Sequence, residues 1–219
     1  MRSGPARQEA DHQRAMMSVL PVKQHPLPYA EQLERRETCG VDLLVIHCTE
    51  LPDLMTAREH GEKIHYPGSG TGNSGHFYID RDGSVEQWVP VERIAHHVVG
   101  FNQRSIGIEL VNKGRYPHWL KSDAQQMHEQ YPGRQINGLL GLLGLLCARY
   151  PELAWITGHE QLDTDQVSAT DNPALSVYRK RDPGPRFPWE VILQAPALSG
   201  LLRRFQAPID GGDITVIPS

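Results

Sequence analysis

Strands interleaved with helices in one unit of about 150–160 residues predict an α/β (α+β) single domain, a central mixed β-sheet flanked by helices. Three observations carry that prediction. The run VDLLVIHCT (41–49) is unbroken and apolar until it ends in polar residues, the pattern of a buried central strand, with His47 near its carboxyl end. SIGIELVN (105–112) alternates, placing Ile106, Ile108 and Leu110 on one face and Gly107, Glu109 and Val111 on the other. INGLLGLLGLLCARY (136–150) reads as a long core helix, its apolar stretch far shorter than the ~20 residues a bilayer span needs.

The other elements follow in chain order. Residues 1–38 are polar and dotted with proline, and are expected to form an N-terminal arm with a short helix in AEQLERRE. The domain is expected over 39–195. A helix follows the first strand through DLMTAREHGEKIH, and PGSGTGNSG (67–75) is a loop whose glycines match neither a P-loop nor a dinucleotide fingerprint. HFYIDRDGSVEQWVP (76–90) is a hairpin turning at Arg81-Asp82-Gly83, with glycine able to take positive φ. IAHHVVG (94–100) is a short strand or strand-like loop. Ser122 or Asp123 is placed to cap a helix in SDAQQMHEQ, and Tyr131-Pro132-Gly133 then breaks the pattern. WITGHE (155–160) is a short strand ending in His159, and 161–177 is a polar loop. WEVILQAPALSGLLRRF (189–205) reads as an amphipathic helix, with the C-terminal tail counted from 196 to 219.

Composition narrows the partners. The 22 basic and 26 acidic residues are mixed along the chain and leave a formal net charge of −4, so nothing points to nucleic acid or an anionic membrane. Cys39, Cys48 and Cys147 form no C-x-x-C, which argues against a disulfide framework or a cysteine zinc knot. The first 22 residues interrupt every apolar stretch with charge and show no secretory h-region, so a cytoplasmic protein is expected, with the periplasm as the alternative. No membrane span is expected, and the oligomeric state is left open.

The chemistry gathers around RKRDPGPRFPW (179–189). Pro183 biases Asp182 toward extended dihedrals, and alternation along an extended segment sends Lys180 and Asp182 to one side and Arg181 to the other. His47, His159 and Asp182 thus stand at strand ends or on a stiff loop. Two imidazoles and a carboxylate fit a catalytic zinc site with a fourth position open. Periodicity alone leaves His60, His65, His76, His96 and His97 as competing ligands.

VIHCTE, SGHFYIDRDGSVEQWVP, AHHVVGFNQRSIGIELVN, ITGHE and KRDPGPRFPW occur in the order seen in the type 2 N-acetylmuramoyl-L-alanine amidases, and the chain resembles the AmpD and AmiD branch of that superfamily over roughly residues 41–190. The resemblance implies a Zn²⁺ ion at the sheet edge held by His47, His159 and Asp182, with Glu109 and Lys180 as the catalytic pair. It implies hydrolysis of the amide between N-acetylmuramic acid and L-alanine in peptidoglycan or its (anhydro)muramyl-peptide fragments, in wall recycling or turnover. A non-catalytic peptidoglycan-binding module and a lytic, endolysin-type amidase are the alternatives. His97, in a segment resembling the family's A-W-H-A-G, and Arg181 are the candidate substrate contacts. The phage branch carries a tyrosine where this chain has Gly75, and a cysteine where it has Asp182. The compact linker usual between the second histidine and K-x-D is replaced by EQLDTDQVSATDNPALSVYRK, an insertion expected to reshape one wall of the cleft and a candidate lid.

Overall fold

The computed structural model of the chain describes residues 20–196, 198, 202–206 and 215–216. In chain order the strands and α-helices are β1 (Val22–Gln24), β2 (Leu43–Cys48), α1 (Leu54–Gly61), β3 (Phe77–Ile79), β4 (Val85–Gln87), β5 (Ser105–Leu110), α2 (Gly133–Arg149), β6 (Trp155–Gly158), β7 (Gln166–Ser168), β8 (Ser176–Tyr178), α3 (Trp189–Leu193), β9 (Arg203–Gln206) and β10 (Thr215–Val216). Eight strands form one mixed sheet in the order β1-β4-β3-β5-β2-β6-β9-β10, and β7 and β8 make a separate antiparallel ribbon. The central strands β5, β2 and β6 run parallel, so their carboxyl ends share one rim.

Side-chain parity divides the sheet into two unlike faces. Leu44, Ile46 and Cys48 of β2, Ile106, Ile108 and Leu110 of β5, and Phe77 and Ile79 of β3 pack with Leu139, Leu142, Leu143 and Leu146 of α2 in one apolar cluster. Those α2 residues recur at helical three- and four-residue spacing, which is why the apolar run winds as a helix and lays one stripe on the sheet. The opposite parity holds Leu43, Val45 and His47 on β2, and Ser105, Gly107 and Glu109 on β5. Loops and α1 cover this second face, and His47 and Glu109 are direct partners across the β2–β5 pair. The register therefore sets an imidazole beside a carboxylate at the rim.

The domain is larger at both ends than 39–195. Strand β1 pairs in parallel with β4, and Leu27, Tyr29, Ala30 and Leu33 are buried against Trp88 and Ala57, so residues 22–38 belong to the packed unit. Arg36 inserts its guanidinium among the carbonyls of Val91 (2.8 Å) and Ser105 (2.8 Å). The helix expected in AEQLERRE is one 3-10 turn, Ala30–Gln32. Residues 1–19 of the arm and much of the tail lie outside the described residues.

At the C-terminal end, the helix expected over 189–205 stops at Leu193, just before Pro196, whose ring supplies no N–H. At 203–206 the chain is strand β9 on the β6 edge, where Phe205 is buried edge-on to Phe101 and Trp155. SDAQQMHEQ forms a single 3-10 turn, Ser122–Ala124, and no helix. Its capping donor is used elsewhere, since Ser122 N–H and Oγ both bond to Asp171 at 2.7 Å. The hairpin at 76–90 forms as β3 and β4, with Gly83 at φ +89° in the turn. IAHHVVG is loop. No helix among the described residues is long and apolar enough to cross a membrane.

Candidate metal and catalytic site

Three buried side chains meet at the carboxyl rim of the central strands. His47 is the penultimate residue of β2, His159 follows β6 directly in a 3-10 turn, and Asp182 lies on the Pro-flanked segment that crosses above them. The β2–β6 register pairs Ile46 with Gly158, which puts His47 and His159 side by side, their ring centroids 4.6 Å apart. Asp182 Oδ2 is 2.9 Å from His47 Nδ1 and 3.1 Å from His159 Nδ1. One ligand atom from each of the three lies within 4.8 Å of the others, a group able to hold a metal ion. A tetrahedral zinc with bonds of ~2.0–2.1 Å has ligand edges of about 3.4 Å, so the present spacing fits it after an opening of a few tenths of an ångström. The edge foreseen for the site is thus the strand-end rim, at the middle of the sheet.

Charge and burial tune these groups against each other. Burial alone would raise the Asp182 carboxyl, but the His159 and His47 imidazoles outweigh it and hold it well below the usual carboxylate range. Burial lowers His47 to about 4, against the pull of Asp182. Glu109 Oε1 stands 3.9 Å from His47 Nδ1, on the side where the donors converge. Burial first, then the charge of Asp182, raises its carboxyl to about 8, with Lys180 opposing.

A cleft of about 600 Å³ opens on this group and is lined by His47, Glu109, His159, Asp182 and Lys180. Lys180 reaches it from the same side of the extended segment as Asp182, whereas Arg181 is half-buried, does not line the cleft, and acts through its charge on Glu160. His97 does line it, but its ring is turned inward, with Nδ1 3.0 Å from His47 Nε2. The remaining histidines separate by environment. His76 is buried, takes the Gly107 N–H on Nδ1 (3.0 Å) and faces the Arg93 carbonyl with Nε2 (3.1 Å), a structural role. His60 and His65 are exposed on the cleft rim, and His96 stacks edge-on against Tyr66 at 5.0 Å.

Two glycines leave the room these side chains need. A Cβ at Gly75 would stand 2.9 Å from Glu109 Cγ, and one at Gly107 would stand 2.6 Å from His97 Cγ. Sequence reasoning missed a third element, the pair of Arg115 and Glu50. Arg115 Nε and Nη2 each bond to a Glu50 oxygen at 2.7 Å, and Nη1 bonds to the Tyr178 carbonyl at 2.9 Å, tying the insertion to the end of β2. The separation of 65 residues leaves no local signal for it. The insertion itself is a fastened wall: β7 and β8 pair, Thr170 N–H bonds to the Leu120 carbonyl at 2.8 Å, and Arg179 meets Asp163 at 2.5 Å.

A mixed sheet whose carboxyl rim carries two histidines and an aspartate able to hold a metal ion, beside a buried glutamate, defines the class. Residues 36–185 match the N-acetylmuramoyl-L-alanine amidase family, and the chain belongs to it. AmiD of Escherichia coli (strain K12), an N-acetylmuramoyl-L-alanine amidase, is 31% identical over 118 residues, 50% of this chain and 37% of that protein. AmpD of Enterobacter cloacae, a 1,6-anhydro-N-acetylmuramyl-L-alanine amidase, is 32% identical over 120 residues, 51% of this chain and 50% of that protein. The chain thus spans half or less of the length of these relatives. Among solved structures, the endolysin amidase LysCS from Clostridium intestinale shares the fold at TM-score 0.57 and 21% identity, covering 80% of this chain and 95% of that one. AmiD from E. coli, solved in complex with anhydro-N-acetylmuramic acid-L-Ala-D-gamma-Glu-L-Lys, shares it at TM-score 0.51 and 24% identity, covering 71% and 57%.

Proposed function

We propose that the protein is a zinc-dependent amidase that hydrolyses the bond between the lactyl carbonyl of N-acetylmuramic acid and L-alanine in muramyl peptides. The observation that carries this reading is the convergence of His47 Nδ1, His159 Nδ1 and Asp182 Oδ2 with Glu109 only 3.9 Å from one of them. The family match and the activities named for AmiD and AmpD support it.

His47, His159 and Asp182 are assigned to hold Zn²⁺. When bound there, the ion supplies a Lewis acid that polarises the scissile carbonyl and acidifies water. Glu109 Oε1 takes the proton of the attacking water and delivers it to the alanine nitrogen as the C–N bond breaks; a carboxyl raised to about 8 is matched to that exchange near neutral pH. Lys180 Nζ offsets the negative charge gathering on the former carbonyl oxygen, a contribution of about 3 kcal/mol for one donor in comparable sites. The cleft walls, including the fastened insertion, hold the peptide and shed water from the rim.

The test is incubation of the zinc-loaded protein with an anhydro-muramyl tripeptide and, separately, with intact wall, followed by mass analysis. Free peptide with an intact sugar, lost on chelation and regained with zinc, is expected. A protein that binds the muramyl peptide and zinc yet releases nothing is a recognition module, and the reading fails. Preference for the soluble fragment would assign the reaction to cytoplasmic recycling, and preference for intact wall to the periplasm.

A further inference from the structure

His97 was expected to touch substrate, yet both of its ring nitrogens are engaged by the protein. A hydrogen-bonded chain leads from the metal-binding group to the backbone: His47 Nε2 to His97 Nδ1 at 3.0 Å, His97 Nε2 to Ser105 Oγ at 3.2 Å, and Ser105 Oγ to the Phe101 carbonyl at 2.7 Å. The last link fixes the direction of all the others. A carbonyl cannot donate, so the Ser105 hydroxyl spends its one proton on Phe101 and can only accept from His97. The shared hydrogen therefore sits on His97 Nε2. Burial favours rings with a single proton, which leaves His97 Nδ1 an acceptor and puts the hydrogen of the next link on His47 Nε2. His47 Nδ1 is then a bare lone pair.

That lone pair points at carboxylates, with Asp182 Oδ2 at 2.9 Å and Glu109 Oε1 at 3.9 Å. Acceptors that face each other so closely are held together only by a cation between them. Resting on the zinc reading above, we propose that His97 is a positioning residue: aligned by Ser105 and the Phe101 carbonyl, it holds His47 in the Nε2–H tautomer with Nδ1 free for the metal ion.

The surroundings fix the ring for this task. The bare backbone of Gly107 lets it lie against β5, where a Cβ would approach its Nδ1 to 2.7 Å. The N–H groups of His97 and Val98 both donate to Asn102 Oδ1, at 3.0 and 2.7 Å, so the loop holds its position without calling on the imidazole. The other ligand has no equivalent, since His159 Nε2 faces Asp163 Oδ2 at 3.8 Å, beyond hydrogen-bond distance.

The experiment compares zinc affinity, by competition with a chromophoric chelator, in the wild-type protein and in His97→Leu and His97→Asn. Asparagine Oδ1 stands where Nδ1 stood and can accept from His47; leucine fills the space and accepts nothing. His97→Leu is expected to weaken zinc binding by about 10- to 100-fold, the usual effect of losing a ligand's orienting partner, and His97→Asn to recover most of it. Metal-free melting temperatures of the two variants should agree, which separates orientation from packing. Equal zinc affinity in wild type and His97→Leu, or no recovery with asparagine, overturns the proposal while leaving the zinc reading intact. A wild-type protein that takes up no zinc overturns both. Should His97→Leu not fold, long-range proton–nitrogen spectra of the wild-type protein decide: Nε2–H on both His47 and His97 is expected, and Nδ1–H on His97 refutes the chain.

Discussion

Replacing Arg115 with methionine tests how the Lys180–Asp182 segment is held. The guanidinium is 1% exposed and the Glu50 carboxylate 10% exposed, and the two are joined by a pair of 2.7 Å bonds. Methionine keeps much of the volume but leaves a buried carboxylate without its partner, a change that costs about 3–5 kcal/mol. For a chain of this size, with about 2–4 °C lost per kcal/mol, the melting temperature should fall by roughly 6–20 °C. The site should feel it too, because Arg115 also anchors the carbonyls of Tyr178 (2.9 Å) and Arg179 (3.3 Å), immediately before Lys180. Calorimetry with and without zinc reads both effects. Adding Glu50→Leu to Arg115→Met should restore much of the loss, since no charge is then left buried alone. A fall of less than about 2 °C, the equivalent of 1 kcal/mol or less, together with unchanged zinc affinity would refute the clasp.

Four further outcomes are expected. Glu109→Gln should keep one zinc per chain while turnover falls by about 10²- to 10⁴-fold, and near-normal turnover would remove Glu109 from proton transfer. In the metal-free protein Glu109 is raised from 4.5 to about 8, so the folded state keeps a proton that the unfolded chain releases; stability is full below about 4.5 and is lost as pH rises through about 8. Denaturant melts across that window should show the decline in wild type and a flatter profile in Glu109→Gln, and parallel profiles would contradict the assignment. Gly75→Ala brings a methyl to 2.9 Å from Glu109 Cγ, and a displacement toward 1 Å should lower turnover up to about 10²-fold with zinc retained. Deleting residues 1–38 removes β1, Leu27, Tyr29, Leu33 and Arg36, and circular dichroism should show no cooperative melt; a cooperative one would return that segment to the status of a dispensable arm.

What was legible in the sequence was whatever rests on local periodicity. The apolar run ending at His47, the alternation around Glu109 and the leucine stripe of α2 each declare their element within a short window, and parity then assigns each side chain to a face. The extended Arg179–Asp182 segment likewise shows its two sides. Contacts made across long separations stayed hidden. Strand β9 carries Arg203 and Arg204 on the flank of an apparently amphipathic run, and only Phe205 packing beside Trp155 makes it a strand. Residues 22–38 look polar because a few buried side chains, Tyr29 and Leu33 among them, are diluted by charge. SDAQQMHEQ has helix-capping chemistry, but Asp171, brought near by the insertion, competes for Ser122 and wins. The turned-in ring of His97 depends on the absent Cβ of Gly107, a steric fact that appears only once β5 and the 94–100 loop are stacked.

The central claim is that His47, His159 and Asp182 share one metal ion. Anomalous diffraction at the zinc edge from crystals of the zinc-loaded protein addresses it directly. A single peak bonded to His47 Nδ1, His159 Nδ1 and Asp182 Oδ2 at ~2.0–2.2 Å, with Glu109 facing the open position, is the predicted result. A peak elsewhere, or zinc-loaded crystals with no peak between those three side chains, would contradict it.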